Sequence, residues 1–258
     1  MILVDKQPQV LVLLHINKNT MNWEVITVIY KTVEYSVTSL NVLMGILSIF
    51  LFTKLPSNYQ LLCVNFMIAS LIELITIGVN YFHLYEIPHL ESLEHLLIIS
   101  EAILVGLFFS KIAESVNLRN AIIFLIFVVI LFELYMIVAY PIDKNTEYGS
   151  IILSSSMCMC GLITLFEISK KNLNQNFNKQ PDTIIVGGLI AIYTILIILF
   201  FLYQPILQFP SLATFFIIFK NLCLFIALVV IAKGMLLKVK KTKPASFPKP
   251  SPPLPKLN

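Results

Sequence analysis

The sequence predicts an all-α fold, a polytopic membrane bundle of seven transmembrane helices, and three observations carry that expectation. Of the 258 residues 58% are hydrophobic and 12% charged, against about 25% charged in a typical soluble domain. Mean hydropathy is +0.87. The apolar residues are gathered into seven stretches, each bounded by charge, Pro or Asn. Several of them reach the roughly 20 residues that cross about 30 Å of hydrocarbon as helix, the geometry that satisfies its own backbone in lipid.

In chain order the expected spans run from about Val28 to Phe52, Leu61 to Phe82, Leu96 to Lys111, Ala121 to Tyr140, Ile151 to Ile168, Thr183 to Tyr203 and Leu212 to Ala232. The first begins raggedly, with Lys31 and Glu34 near its start. The third is the shortest and most polar, because Glu101 interrupts it. The seventh, "FFIIFKNLCLFIALVVIAKG", carries Lys220 in mid-run.

Lys and Arg in the connections set the orientation. Lys54, Lys111, Arg119, Lys170, Lys171 and Lys179 fall on the same side as the Lys-rich C-terminus, whereas the opposite connections hold Lys144 and the acidic Glu86, Glu91 and Glu94. The C-terminus is therefore expected in the cytoplasm and the N-terminus outside, although Lys6, Lys18 and Lys31 weigh the other way. Residues 1–27 read as an extracytoplasmic segment, 28–233 as the membrane domain, and 234–258 as a basic, Pro-rich, disordered cytoplasmic tail. The apolar part of the opening segment, "VLVLL", is too short for a secretory signal and lacks a small-residue cleavage site, and Met21 offers an alternative start. The net charge of +4 comes from the tail "KGMLLKVKKTK", which suits anionic inner-leaflet lipid rather than nucleic acid. The tail is also where a cytoplasmic protein partner is expected, and its "PPLP" is similar to a polyproline docking ligand.

The four cysteines all fall within expected spans, which argues against a disulfide framework. Cys158 and Cys160 are two apart and do not share a helix face, so packing explains them better than a soft metal. The segment "HLYEIPHLESLEH" holds His83, His89, His95, Glu86, Glu91 and Glu94, residue types that ligate zinc, yet Pro88 interrupts it and a solvated loop accounts for them. No metal or cofactor is expected. Nor is an enzyme: HExxH, GxSxG and P-loop patterns are missing, the intramembrane carboxylates lack an accompanying His, and Asp143 and Asp182 lie in loops on opposite sides.

The intramembrane charges share a depth. At about 1.5 Å per residue, Glu73 lies about 13 Å from the outer end of its helix, Glu101 about 9 Å, Glu133 about 12 Å and Lys220 about 15 Å. Charged groups at such depth face the bundle interior. Glu73, Glu101, Glu133 and Lys220 are therefore read as a ligand or ion pocket in the outer half of the bundle, with Glu34, Tyr193, Asn221 and His95 at its periphery. A buried ion pair of Lys220 with Glu101 or Glu73 that only fixes helix register is the structural alternative.

Seven helices with Lys220 in the last and Glu101 in the third resemble the topology of microbial rhodopsins, where such a lysine carries retinal and such a carboxylate is its counter-ion. The resemblance stops at topology. Phe216 stands where that family has an acidic residue four before the lysine, and Trp23, the single tryptophan, precedes the first expected span. Glu73, His95 followed six residues later by Glu101, and Lys220 resemble positions in a group of uncharacterised, sensor-like bacterial seven-helix membrane proteins, from about Lys54 to Lys238. That resemblance implies a multi-pass protein of the bacterial inner membrane, acting as a sensory or regulatory receptor-like module. A small ligand or proton would enter from the outer side. The alternative is a small-solute or proton-coupled transporter.

Overall fold

The computed structural model describes residues 23–81, 92–139, 146–171, 180–207 and 210–242. The expectations for the N-terminal segment up to residue 22, for the His- and Glu-rich residues 82–91, for Asp143 and for the Pro-rich end from 243 lie outside these described residues. The described chain is all-helical: α1 (Trp23–Leu51), a 3-10 turn (Phe52–Lys54), α2 (Ser57–Tyr81), α3 (Ser92–Ile112), α4 (Val116–Ala139), α5 (Thr146–Lys171), α6 (Pro181–Leu207) and α7 (Pro210–Thr242). All seven helices are long and apolar enough to cross a membrane, and the protein is built as a multi-pass membrane bundle.

Local chemistry sets the helix ends. Pro56 forces Leu55 into extended backbone (φ −101°, ψ 149°), as a residue before proline must be, and this stops α1. The Gln60 side-chain amide donates to the carbonyls of Phe52 and Leu55 at 3.0 and 3.2 Å. It thereby satisfies acceptors that the end of α1 leaves open. Helices α6 and α7 start on Pro181 and Pro210, where a missing N–H costs nothing. Ser115 caps α4, its hydroxyl accepting the Leu118 N–H at 3.4 Å.

Each helix packs on its chain neighbours and α7 returns to α1, closing a seven-membered ring, while α3 also touches α5 across it. That inward position explains the polar third helix: 56% of its apolar span is buried, against 22% for α1. Lipid tails are as apolar as Leu, so helices associate through close packing and polar contacts rather than hydrophobic burial. Tyr59, Phe108, Phe109, Met157, Ile185, Ile231 and Met235 fill the shared core, and Phe124, Phe127, Phe166, Phe215 and Phe219 are exposed toward lipid. Helices α6 and α7 meet closely because a Cβ on Gly188 would stand 2.6 Å from Ile231, and one on Gly234 would stand 2.5 Å from Ile185.

Three boundaries move from expectation. Trp23 opens α1 rather than preceding it. α3 starts at Ser92, four residues before the expected Leu96. α7 continues to Thr242, so residues 234–242, expected to begin a disordered tail, are helical. No proline interrupts α7 before Pro244, and Met235 is fully buried beside the Gly234–α6 approach.

Candidate functional site

The end of the bundle where α7 finishes carries Lys54, Lys111, Arg119, Lys170, Lys171, Lys238, Lys240 and Lys241 and is called the basic end below. Counting from the opposite end with the observed helix bounds, Glu73 lies about 12 Å along α2, Glu101 about 13 Å along α3, Glu133 about 9 Å along α4 and Lys220 about 15 Å along α7. The four keep a common depth range. Glu73, Glu101 and Glu133 are all buried, so none faces lipid.

The carboxylates are distributed among separate contacts between helices. Thr38 Oγ1 on α1 donates to Glu73 Oε1 at 2.9 Å. Tyr193 OH on α6 donates to Glu101 Oε1 at 2.7 Å, across the ring from α3. His95 Nδ1 on α3 lies 2.5 Å from Glu133 Oε1 on α4. Each is an interhelical hydrogen bond of the kind that membrane bundles use to fix partner choice. The expected pairing of Lys220 with Glu101 or Glu73 gives way to these hydroxyl contacts: a tyrosine and a threonine satisfy the two carboxylates with short, rotatable donors. Lys220 stands half-buried on α7 next to buried Asn221, and Glu34 is half-buried on α1.

The most closely built of the three sites is that of Glu133, which is 1% exposed. One oxygen meets His95; the other, Oε2, is buried and has no hydrogen-bond partner. A neighbouring helix approaches it closely. A Cβ built on Gly149 of α5 would lie 2.0 Å from Oε2, so only glycine leaves room for the carboxyl. Three helices thus meet at one carboxyl group, held by histidine on one side and open backbone on the other. His95 sits three residues into α3, Glu133 six residues before the end of α4, and Gly149 three residues into α5. All three are near the end opposite the basic one.

Two of these residues were misjudged from sequence. His95 was placed at the periphery and the carboxylates were said to lack a histidine; in the structure it is 3% exposed and paired with Glu133. Ser92 followed by Glu94 in the first helical turn is the signal that could have found it, since an acidic first turn suits the helix dipole. Gly149 offered no signal of its own, because its importance lies wholly in what packs against it.

A second polar group went unremarked. At the basic end Asp182, in the first turn of α6 rather than in a loop, accepts hydrogen bonds from Tyr59 OH of α2 and from Lys238 Nζ of α7, the latter at 2.8 Å. Lys238 Nζ also lies 4.6 Å from the centre of the Tyr59 ring, a cation–π distance. This contact joins three helices. Glu167, expected to reach water or Lys170 and Lys171, accepts the Glu114 backbone N–H at 3.1 Å and so braces the turn between α3 and α4. The four cysteines are free thiols, and Cys158 Sγ lies 3.5 Å from Thr194 Oγ1. Among the described residues no group of three or more His, Cys, Asp or Glu side chains is arranged to hold a metal.

No protein-family model, no curated protein and no solved structure matches this chain, so function is argued from the geometry of these sites alone.

Proposed function

We propose that the protein is a sensory or regulatory receptor-like membrane module, in which a proton or small ligand arriving from the end opposite the basic tail acts on the His95–Glu133 contact. One observation carries this reading: the carboxyl group of Glu133 is buried at the meeting of α3, α4 and α5, paired through one oxygen and unpartnered at the other. Adding or removing a proton there alters charge where neither water nor lipid compensates it. The change falls on a contact between packed helices, the kind of local electrostatic event that biases two helix arrangements. Glu101–Tyr193, which ties α3 to α6, extends the path from α3 toward α7, since α6 packs along it.

The distribution of Lys and Arg supports a cytoplasmic basic end and an outer N-terminus in a bacterial inner membrane. The basic end, with helix α7 running on to Thr242, is then the surface that a cytoplasmic partner reads. The uninterrupted helices favour this reading over a carrier, because transporters commonly bind substrate at broken helices.

The test is made in proteoliposomes, with spin labels on α4 and at the end of α7. A pH step that shifts the α7 distance in the parent, and not in Glu133→Gln, is the result expected. Substrate-dependent flux through the reconstituted protein would overturn the receptor reading in favour of a transporter.

A further inference from the structure

An open cleft of about 450 Å³ lies at the basic end, far along the helices from Glu133, and its walls differ in sign. One wall is acidic: Glu114 follows α3, and Glu167 near the end of α5 is bound to the Glu114 backbone. The other is basic: Lys238 and Lys241 stand one turn apart on α7. The start of α6 lies between them, because α6 packs against both α5 and α7. Its first-turn Asp182 already holds Lys238 at 2.8 Å, which fixes that lysine at the edge of the cleft. Apolar side chains, Ile112 and Ile168 among them, complete the lining. The volume falls in the range of small-molecule sites, roughly 300–1,000 Å³.

Such a cleft suits neither a simple anion nor a simple cation. A phosphate would meet the carboxylates of Glu114 and Glu167; an amine alone would meet the ammonium groups of Lys238 and Lys241. A ligand carrying both signs a few ångströms apart satisfies both walls. Carboxylates accept charge-assisted hydrogen bonds from N–H donors, so a primary ammonium fits the acidic wall better than a quaternary one, which has no N–H to offer. The positive end of the α6 dipole adds to the pull on the anionic half. The helix ends place this cleft where the apolar spans give way to charge, at the level of lipid headgroups.

The geometry points to a site for a zwitterion that joins a primary ammonium to a phosphate, the ammonium against Glu114 and Glu167 and the phosphate against Lys241 and Lys238. Two sources share this chemistry, the headgroup of phosphatidylethanolamine and a soluble phosphoethanolamine ester. The site is independent of the Glu133 reading and stands or falls separately.

The test is native mass spectrometry of the full chain, delipidated in detergent and titrated with phosphatidylethanolamine, phosphatidylcholine or phosphatidylglycerol, with soluble glycerophosphoethanolamine as competitor. Phosphatidylethanolamine is expected to bind at least about tenfold more tightly than the other two. Lys241→Glu, an exposed substitution, is expected to abolish that preference, and Glu167→Gln to shift it toward phosphatidylglycerol. A circular dichroism melt of each variant guards against misfolding, and Lys241→Glu is expected to melt like the parent. Displacement by glycerophosphoethanolamine would identify a soluble ligand; binding that needs the acyl chains would identify the lipid. Equal binding of the three lipids, or a preference that survives both substitutions, would overturn the proposal.

Discussion

Replacing Gly149 with alanine tests the tightest contact in the bundle. The added methyl would lie 2.0 Å from Glu133 Oε2 and 2.8 Å from its carboxyl carbon, so the carboxyl must swing away and give up its 2.5 Å contact with His95. Side-chain hydrogen bonds between membrane helices are worth about 0.6 kcal/mol on average and up to about 1.7. One involving a charged, buried group belongs at the upper end of that range. Against this, alanine is favoured over glycine in a helix by up to about 1 kcal/mol. The expected net loss for Gly149→Ala alone is therefore about 1 kcal/mol. In a Glu133→Ala background the methyl enters space the carboxyl has vacated, and the same substitution is expected to be neutral or stabilising by up to about 1 kcal/mol. The interaction energy from the cycle is then about 1–2 kcal/mol. Equilibrium unfolding in mixed micelles reads all four proteins. Equal destabilisation by Gly149→Ala in both backgrounds would refute the packing argument.

Tyr193→Phe deletes the hydroxyl that satisfies buried Glu101; a loss of about 1–3 kcal/mol in the same unfolding assay is expected, since the carboxyl is left without its partner. Thr38→Val on the part-buried contact to Glu73 is expected to cost less, about 0.6 kcal/mol. Lys238→Met removes both the Asp182 ion pair and the Tyr59 ring contact, but the pair is partly exposed. Its effect is expected to stay below about 1 kcal/mol and to shrink with added salt, which a melt at two ionic strengths would show. Gly234→Ala drives a methyl to 2.5 Å from Ile185 and is expected to loosen α6 from α7 by about 1–3 kcal/mol, seen as faster amide exchange in the last two turns of α7.

The membrane bundle was legible because its signal is additive: long apolar runs and their bounding charges survive errors of several residues. The common depth of Glu73, Glu101, Glu133 and Lys220 was legible too, since it needs only helix rise and helix ends. Who touches whom was not. Rotation about each helix axis decides whether Glu101 meets Lys220 or Tyr193, and one residue of rotation is about 100°, beyond what ragged boundaries can fix. His95 shows the same limit from another side. An α3 starting at Ser92 instead of Leu96 turns a loop histidine into a buried partner of Glu133. Asp182 likewise moves from loop to first turn when α6 begins at Pro181, and the Tyr59–Asp182–Lys238 contact follows from that shift.

The central claim is that Glu133 exchanges a proton in response to the medium and that this changes helix packing. Infrared difference spectroscopy of the reconstituted protein across a pH step measures it most directly, in the parent, in Glu133→Gln and in His95→Gln. The account expects a carboxyl C=O band together with an amide I change in the parent. Both are expected to vanish in Glu133→Gln, and the band to move in His95→Gln, where the 2.5 Å contact is altered. An amide I change that persists undiminished in Glu133→Gln would contradict it.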